Sequence, residues 1–562
     1  MNKLIELMFK NRGYSDEFII DIENSYYDEL KDIDELCVEL KEIHDEGKVI
    51  TQYSDFDTDG ICAGDVGFAG LAELGFKVNL YIPDTSKGYG ILPEQVDDLL
   101  AKYPDTDVIL TSDTGITAYE AALRCKARGV RMFITDHHKQ QKSIDAEIVV
   151  NPMRLDESYS HPAICGAFVL WQVLARYAEL YCNNFQQEQI SRLRVFAGIG
   201  TVSDTMPVLY ENRQLLRDAI DICQYVYGDG KPDAVDAIEG CLLYRRVFKG
   251  LYNIFKVYEE SGAIKNATNI DEGFFGFTLA PALNSAKRLD KDMAIVFGIF
   301  FADNSYECAK QIYEWNIERK TLVAEELKRI DASKQPYAPY AYISTAKAGI
   351  LGLLAMSLMN RTGVPTFVLI DEGPNCGLTN RYHGSGRSPE WYKCDEGLAN
   401  VMTVSGHDFA FGCGVANETD LQRVYNILSK EVPPLFEEYG GLEETPDFVI
   451  STDLSGDTGI DIKLFSDFIE EVQHYRPFGK GFPEPNIKLH FNAKDAKWTV
   501  LKNGLHLKIF LPLNFNVLCW NQGHLIEQSK SFDSFDVWGK LEISEFNGER
   551  SVQFVGKLVE QK

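Results

Sequence analysis

The sequence predicts an α/β protein of several domains: a parallel-sheet unit, a long connecting helix, a second and smaller α/β unit, and a β-rich domain at the C-terminal end. Three observations carry this. Strand-like and helix-like patterns alternate from Lys48 to Pro152, a segment with two prolines (Ser333-Lys-Gln-Pro-Tyr-Ala-Pro-Tyr) interrupts a long helical pattern, and the hydrophobic period turns strand-like towards the end of the chain. A length of 562 residues accommodates three or four such domains, at roughly 100 to 200 residues each.

Residues 1–47 read as charged amphipathic helices. In the unit that follows, the runs VITQYSDF, KVNLYIP, DVILTSD, VRMFITD and EIVVNP are strand-like, and ICAGDVGFAGLAELG, PEQVDDLLAKY and AYEAALRCKARG between them have helical spacing. Repetition of strand, helix and strand implies right-handed crossovers and a parallel sheet covered on both faces, with ligands bound beyond the carboxyl ends of its strands. Residues 160–330 are mostly helical, from GAFVLWQVLARYAELY to a last long pattern over Ser305 to Ala332. The prolines then mark a boundary. Beyond it AYISTA, GILGLLAMSLMNRTG and TFVLI open the second α/β unit, which is expected to end near Glu431-Val-Pro-Pro. After an acidic stretch come GLHLKIFLPL, NFNVLCW, FDVWGKLEISEF and ERSVQFVGKLVE, with Asn547-Gly548 placed as a hairpin turn between the last two. A small barrel or sandwich is expected. The domains are thus 1–47, 48–332, 340–432 and 447–562.

Composition narrows the function. The longest apolar stretch, Ala294 to Ala302, is interrupted by a glycine and falls far short of the roughly 20 residues of a membrane span. The opening MNKLIELMFKNRGYSDE meets charge at once, so neither membrane insertion nor export is expected. The twelve cysteines form no CxxC pair and no Cys/His cluster, which argues against a zinc site or a disulfide framework and fits a reducing cytoplasm. A formal charge of −28 excludes a protein that coats nucleic acid by bulk attraction. Attraction to a nucleic acid would have to be local.

The acidic residues converge on the predicted strand ends. Asp55, Asp57 and Asp59 lie where the first strand enters its helix, Asp113 ends another strand, Asp136-His137-His138 ends a third, and Asp204 in GIGTVSDTMP follows a helix. Any one such aspartate is ordinarily a turn former or helix cap; their recurrence at several strand ends of one sheet is not explained that way. Carboxylates gathered in one crevice repel one another unless a cation lies between them. Oxygen-rich ligation with imidazole suits Mn²⁺ or Mg²⁺ better than zinc. A bridging carboxylate would hold two such ions about 3.5 to 4 Å apart, the separation that serves in-line displacement at phosphorus. His138 either shares in this site, faces the core or orients its neighbour.

At these residues the chain resembles the DHH phosphoesterase superfamily, and within it the RecJ-like single-strand-specific exonucleases, from residue 48 almost to the C-terminus. SDFDTDG resembles the first family motif with Asp55, Asp57 and Asp59, SDTGI supplies Asp113, TDHH gives Asp136-His137-His138, and GTVSDTMPVLYENR gives Asp204. The resemblance implies that Asp57 and Asp113 hold one metal and that Asp59, Asp113, His137 and Asp204 hold the other, with Asp55 also in the metal-binding set and Asp113 as the bridge. GSGRS, with Gly384, Ser385, Arg387 and Ser388, resembles the phosphate-gripping signature of an associated substrate domain, and Gly406-His407 resembles its next block. LAPALNSAKRL, with Asn284 and Arg288, resembles the family's APRLNAAGRL segment, and RPFGKGFPEP resembles the entrance to an oligonucleotide-binding (OB) barrel. That barrel would track a single strand, with Trp520, Phe515 and Lys502 as candidate contacts.

Ala282, Lys287 and Ser405 depart from the family pattern, where arginine, glycine and a second glycine are usual. They bear on the grip on the strand and touch no proposed metal ligand. The reaction implied is two-metal hydrolysis of single-stranded DNA, 5′ to 3′, releasing 5′-mononucleotides. Asp113, His138, Arg387 and His407 would serve catalysis, and a helicase or single-strand-binding protein is a conceivable partner. The alternatives are a phosphodiesterase for short oligonucleotides or cyclic dinucleotides, which has no need of a strand-tracking domain, and an inactive replisome scaffold, which would have lost the metal ligands.

Overall fold

The computed structural model describes residues 2–24, 29–84, 90–227, 238–374, 376–407, 409–440, 445–453, 455–546 and 549–558. The chain divides into two units, one of residues 28–206 and 218–443, the other of residues 1–27, 207–217 and 444–562.

The first unit contains two sheets. Five strands, β1 (Val49–Ser54), β2 (Lys77–Tyr81), β3 (Val108–Ser112), β4 (Arg131–Thr135) and β5 (Ile148–Val150), form a sheet in the order β2-β1-β3-β4-β5, and every pairing in it is parallel. Every residue of the central β3 is buried, as a strand with both faces covered requires. The helices Pro93–Lys102 and Tyr119–Arg128 set Val96, Leu99, Ala121 and Cys125 against Ile109 and Ile134 of the sheet. The helices Thr58–Glu73, Gly166–Tyr181 and Arg194–Ser203 pack against one another. Because β1, β3 and β4 are neighbours and run the same way, their carboxyl ends open together.

The helix Ser305–Ala332 leads to the second sheet, ordered β6-β7-β8-β10-β9 from β6 (Ala341–Ile343), β7 (Thr366–Asp371), β8 (Tyr382–Arg387), β9 (Thr403–His407) and β10 (Ala410–Val415). Only β6 and β7 pair in parallel. Alternation along β7 divides its contacts: Val368 meets Leu351 and Leu354 of the helix Ala348–Thr362, whereas Phe367 and Leu369 meet Leu421, Val424 and Leu428 of the helix Glu418–Leu435. That last helix runs through Pro433 and Pro434 and ends at Leu435. The two prolines are exposed, so the carbonyls deprived of amide partners turn towards water.

The second unit holds a seven-stranded sheet, β11 (Phe448–Ser451), β12 (Ile487–Asn492), β16 (Ser534–Phe546), β17 (Glu549–Leu558), β15 (Asn516–Cys519), β14 (His506–Phe510) and β13 (Lys497–Leu501), in that order. Ile487, Leu489 and Phe491 alternate inward from β12 and join Phe465, Phe468 and Val472 of the helix Ile462–Val472 in one core. Leu4, Ile5, Met8 and Phe9 of the helix Lys3–Asn11 complete that core, and Arg12 holds Asp447 with both its Nε and Nη2. Residues 1–47 are therefore shared between the units, because the helix Ile33–Glu46 belongs to the first. From the excursion 207–217, Arg213 enters this unit fully buried and donates to Glu23 (2.8 Å), the Pro477 carbonyl (2.7 Å) and the Tyr475 carbonyl (2.5 Å). Asn547-Gly548 lies outside the described residues; the strands it would join are paired up to Phe546 and Glu549.

Phe515 is not a surface platform for a strand, since it is wholly buried against Phe465, while Trp520 is half exposed and stands edge-on to His506. Lys502 is exposed and lies in a turn with a positive φ of 47°. Among the described residues no helix is long and apolar enough to cross a membrane.

Candidate metal centre

Each acidic group is placed by a local rule. Asp55 leaves β1 and accepts the N–H of Phe56. Asp57 caps the helix Thr58–Glu73 by accepting the N–H of Gly60 at 3.0 Å, and Asp59 sits in its first turn, where the positive end of the helix favours carboxylates. Between them the Thr58 hydroxyl donates to the Ala280 carbonyl, fixing this turn to the segment that carries Asn284 and Arg288. Asp113 follows β3 with φ of 59°, a left-handed conformation held by its N–H bond to the Thr135 carbonyl at the end of β4. Such strain costs on the order of 1 kcal/mol or more and persists only where the surroundings enforce it. Asp204 caps the carboxyl end of the helix Arg194–Ser203.

These groups meet at His137. Its Nε2 lies 3.1 Å from Asp113 Oδ1, 3.6 Å from Asp204 Oδ2 and 3.9 Å from Asp59 Oδ2. Its Nδ1 is 2.8 Å from the Ile164 carbonyl, which can only accept, so Nδ1 carries a proton and Nε2 is the nitrogen turned towards the carboxylates. The buried Asp113 Oδ1 has no hydrogen-bond partner among the described residues. Carboxylate oxygens and an imidazole nitrogen gathered this closely are a donor set that a cation would draw together. Among the described residues three sets of side chains bring ligand atoms together: Asp59, His137 and Asp204; Asp55, Asp57 and Asp113; and Asp113, His137 and His138. Asp113 belongs to two of them, which suits a bridge. The donor set is oxygen with one or two imidazoles, as Mn²⁺ or Mg²⁺ prefers.

Without metal the same groups are electrostatically loaded. Burial, and then the charges of Asp59, Asp57 and Asp55, push the Asp113 carboxyl well above the usual carboxylate range. Burial also raises Asp59, although the charge of His137 and the N–H groups of Ala167 and Gly166 at the start of the helix Gly166–Tyr181 counter it. Two glycines permit this crowding. A Cβ at Gly166 would lie 2.3 Å from Asp113 Oδ1, and one at Gly200 would lie 2.3 Å from Asp59 Oδ1. Sequence reasoning passed over both, and nothing in their local motifs separates them from ordinary helix glycines.

Asp136 is a buried strut. It accepts the N–H groups of Ile116, His137 and His138 and the Nδ1 of His138. Burial would raise its carboxyl, but the bond from His138 and the charges of both histidines hold it below the usual range. Burial would likewise depress His138, yet Asp136 and the charges of Asp204 and Asp55 lift it to about 9. His138 is thus oriented by Asp136 and faces the site.

A cationic wall stands near these acids. Arg387 ends β8, its Nη2 2.8 Å from where a Cβ on Gly352 would lie. Burial, then repulsion from Arg319 and Arg387, brings Arg288 down to about 10. Arg319, on the helix Ser305–Ala332, is buried and hydrogen-bonds to Asn316. Arg319 and Arg387 thus both bring positive charge to Arg288, and guanidinium groups gathered in this way suit an anion. Arg319 escaped the sequence reading because a charged residue within a long helical pattern looks like part of a solvated face.

The remaining expected contacts differ in character. Asn284 joins two short helical turns and is half-buried. Gly384 and Ser385 line a cavity of about 480 Å³ together with Ser405 and Gly412, whereas the Ser388 hydroxyl is spent on the Tyr392 carbonyl. His407 ends β9 opposite Ala410, and its side chain lies outside the described residues. Ala282 is buried, and Lys287 sets its ammonium 3.3 Å from the centroid of the Phe56 ring.

Comparison with known proteins agrees with this geometry. The N-terminal domain of the DHH family matches residues 49–198, and the RecJ OB domain matches residues 457–557. The Bacillus subtilis single-stranded-DNA-specific exonuclease RecJ is 26% identical over 556 residues, covering 95% of this chain and 64% of that protein. The chain thus spans less than two-thirds of that relative's length. The Salmonella typhimurium protein of the same name is 24% identical, covering 94% of this chain and 90% of that one. Among solved structures, Thermus thermophilus RecJ in complex with Mn²⁺ superposes over 100% of this chain and 76% of that one, with a TM-score of 0.72 and 21% identity. The same protein has been solved with Mg²⁺. With its parallel sheet, its acidic strand ends and its match to the RecJ OB domain, the chain is similar to the DHH family over its first sheet and has a RecJ-like fold.

Proposed function

We propose that the chain is a metal-dependent exonuclease that hydrolyses single-stranded DNA from the 5′ end and releases 5′-mononucleotides. The observation that carries this reading is the pairing of a carboxylate and imidazole centre, on the strand ends, with the half-buried Arg288 and Arg387 and the buried Arg319. One binds divalent cations and the other an anion, which together are the requirements of a phosphodiester. The names of the relatives supply the substrate class. Asp55, Asp57 and Asp113 would hold one ion and Asp59, Asp113, His137 and Asp204 the other; when bound, the two Mn²⁺ or Mg²⁺ ions supply Lewis-acid charge and lower the pKa of water.

The protein does the positioning. The Ile164 carbonyl fixes the His137 tautomer, and the start of the helix Gly166–Tyr181 fixes Asp59. Arg387 and Arg288 take the charge that grows on the phosphoryl oxygens, and His407 adds a further contact. His138, oriented by Asp136, positions the phosphate. Asn284, Gly384 and Ser385 shape the nucleotide's seat. The OB domain tracks the strand. A cytoplasmic setting follows from this reading, with a helicase or single-strand-binding protein presenting the strand.

Asp113→Asn tests it. Hydrolysis of a long 5′-labelled single strand with Mn²⁺ should fall on the order of 10³-fold or more, while the melting temperature without metal holds or rises because a source of repulsion is gone. Undiminished nuclease activity would refute the assignment. Cleavage of a dinucleotide alone would favour a short-oligonucleotide phosphodiesterase.

A further inference from the structure

Lys287 brings a protein-borne cation to the metal centre. It lies in the short turn Ser285–Arg288, and its ammonium rests over the face of Phe56, the residue between the ligands Asp55 and Asp57. The placement is enforced from several directions. Asp55 accepts the Phe56 N–H and the Thr58 hydroxyl ties the same loop to Ala280, so the ring under the half-buried Lys287 is held in place. The carboxylates that act on it are Asp55, Asp290 and Asp57. Two of these belong to the set Asp55, Asp57 and Asp113; none belongs to the set Asp59, His137 and Asp204.

We propose that Lys287 is a built-in counter-cation for the Asp55–Asp57–Asp113 half of the centre, which balances these carboxylates when no ion is bound and weakens their hold on a divalent ion. The two halves then differ in affinity. Asp59, His137 and Asp204 form the tight half, and the half beside Lys287 fills only at higher metal concentration. The physical basis is Coulomb repulsion between a fixed +1 and an incoming +2 charge across a partly desolvated gap, which is large enough to survive solvent screening.

The inference rests on the metal assignment and is independent of the substrate, so the test is binding of Mn²⁺ alone. Free Mn²⁺ is followed by electron paramagnetic resonance during titration of the full chain without DNA. The wild type should show two classes of site. Lys287→Met should tighten the weaker class on the order of tenfold and leave the tighter class unmoved, while Lys287→Arg, which keeps the charge, should match the wild type. The Asp57→Asn variant should remove the weaker class, and adding Lys287→Met to it should then change nothing. A weaker class that moves less than twofold in Lys287→Met, or that moves equally in Lys287→Met and Lys287→Arg, overturns the proposal. A thermal melt of each variant separates these outcomes from unfolding. Absence of nuclease activity would overturn the functional proposal alone, because the Mn²⁺ titration reads the metal centre directly.

Discussion

Asp65 lies on the helix Thr58–Glu73 with both carboxylate oxygens fully buried and without a hydrogen-bond partner among the described residues. Burial pushes its carboxyl well above the usual range. Its folded pKa therefore exceeds its unfolded one, and its contribution to stability is intact below the unfolded value near pH 4 and is lost as pH rises towards the folded value. Asp65→Asn removes the titration and keeps the shape. The variant should melt higher than the parent at pH 8, by an amount equivalent to about 1 to 3 kcal/mol, and the gap should shrink at pH 5. Calorimetric scans at the two pH values check this, and a gap independent of pH would contradict it. The contrast with Asp113 shows what a sequence discloses at this scale. Aspartates at strand ends are legible as ligands because residue type and position along a strand are both properties of the sequence. An aspartate inside a helix, or Arg319 on a long helix, acquires its meaning only from what packs around it.

At the scale of elements, the alternation of short apolar runs with helical spacing was enough to predict the parallel sheet, and with it the common opening of β1, β3 and β4. What could not be predicted is how closely the helices after the sheet approach the ligands. The start of the helix Gly166–Tyr181 presses against Asp113 while donating two N–H groups to Asp59. Gly166→Ala puts a methyl group 2.3 Å from Asp113 Oδ1, so that either the carboxylate or the helix must move. Mn²⁺ affinity and hydrolysis should each fall by roughly 10²-fold, with loss of at most about 1 to 3 kcal/mol in stability; calorimetric Mn²⁺ titration and a melt distinguish the two effects.

At the scale of the whole molecule, the change to strand-like patterning announced the C-terminal domain, but the unit it belongs to is also built from residues 1–27 and 207–217. No local pattern reveals that distant segments share a core. Arg213 is the sharpest instance, since in sequence it is one charged residue near the start of a helix, and in the fold it is fully buried between Glu23 and two carbonyls. Arg213→Met should destabilise this unit by about 3 to 5 kcal/mol, since it strands buried partners. A melt followed by Trp fluorescence should show an early transition absent from the parent. The same arrangement bears on biosynthesis. The helix Lys3–Asn11 is made early, yet the strands that cover Leu4, Ile5, Met8 and Phe9 are made more than 430 residues later, roughly 20 to 90 seconds later at ordinary rates of translation. During that interval the nascent chain carries an uncovered apolar stripe. Deleting residues 2–12 should leave the matching face of the unit around β11–β17 uncovered and lower the soluble yield of the chain, as fractionation of the expressed protein would check.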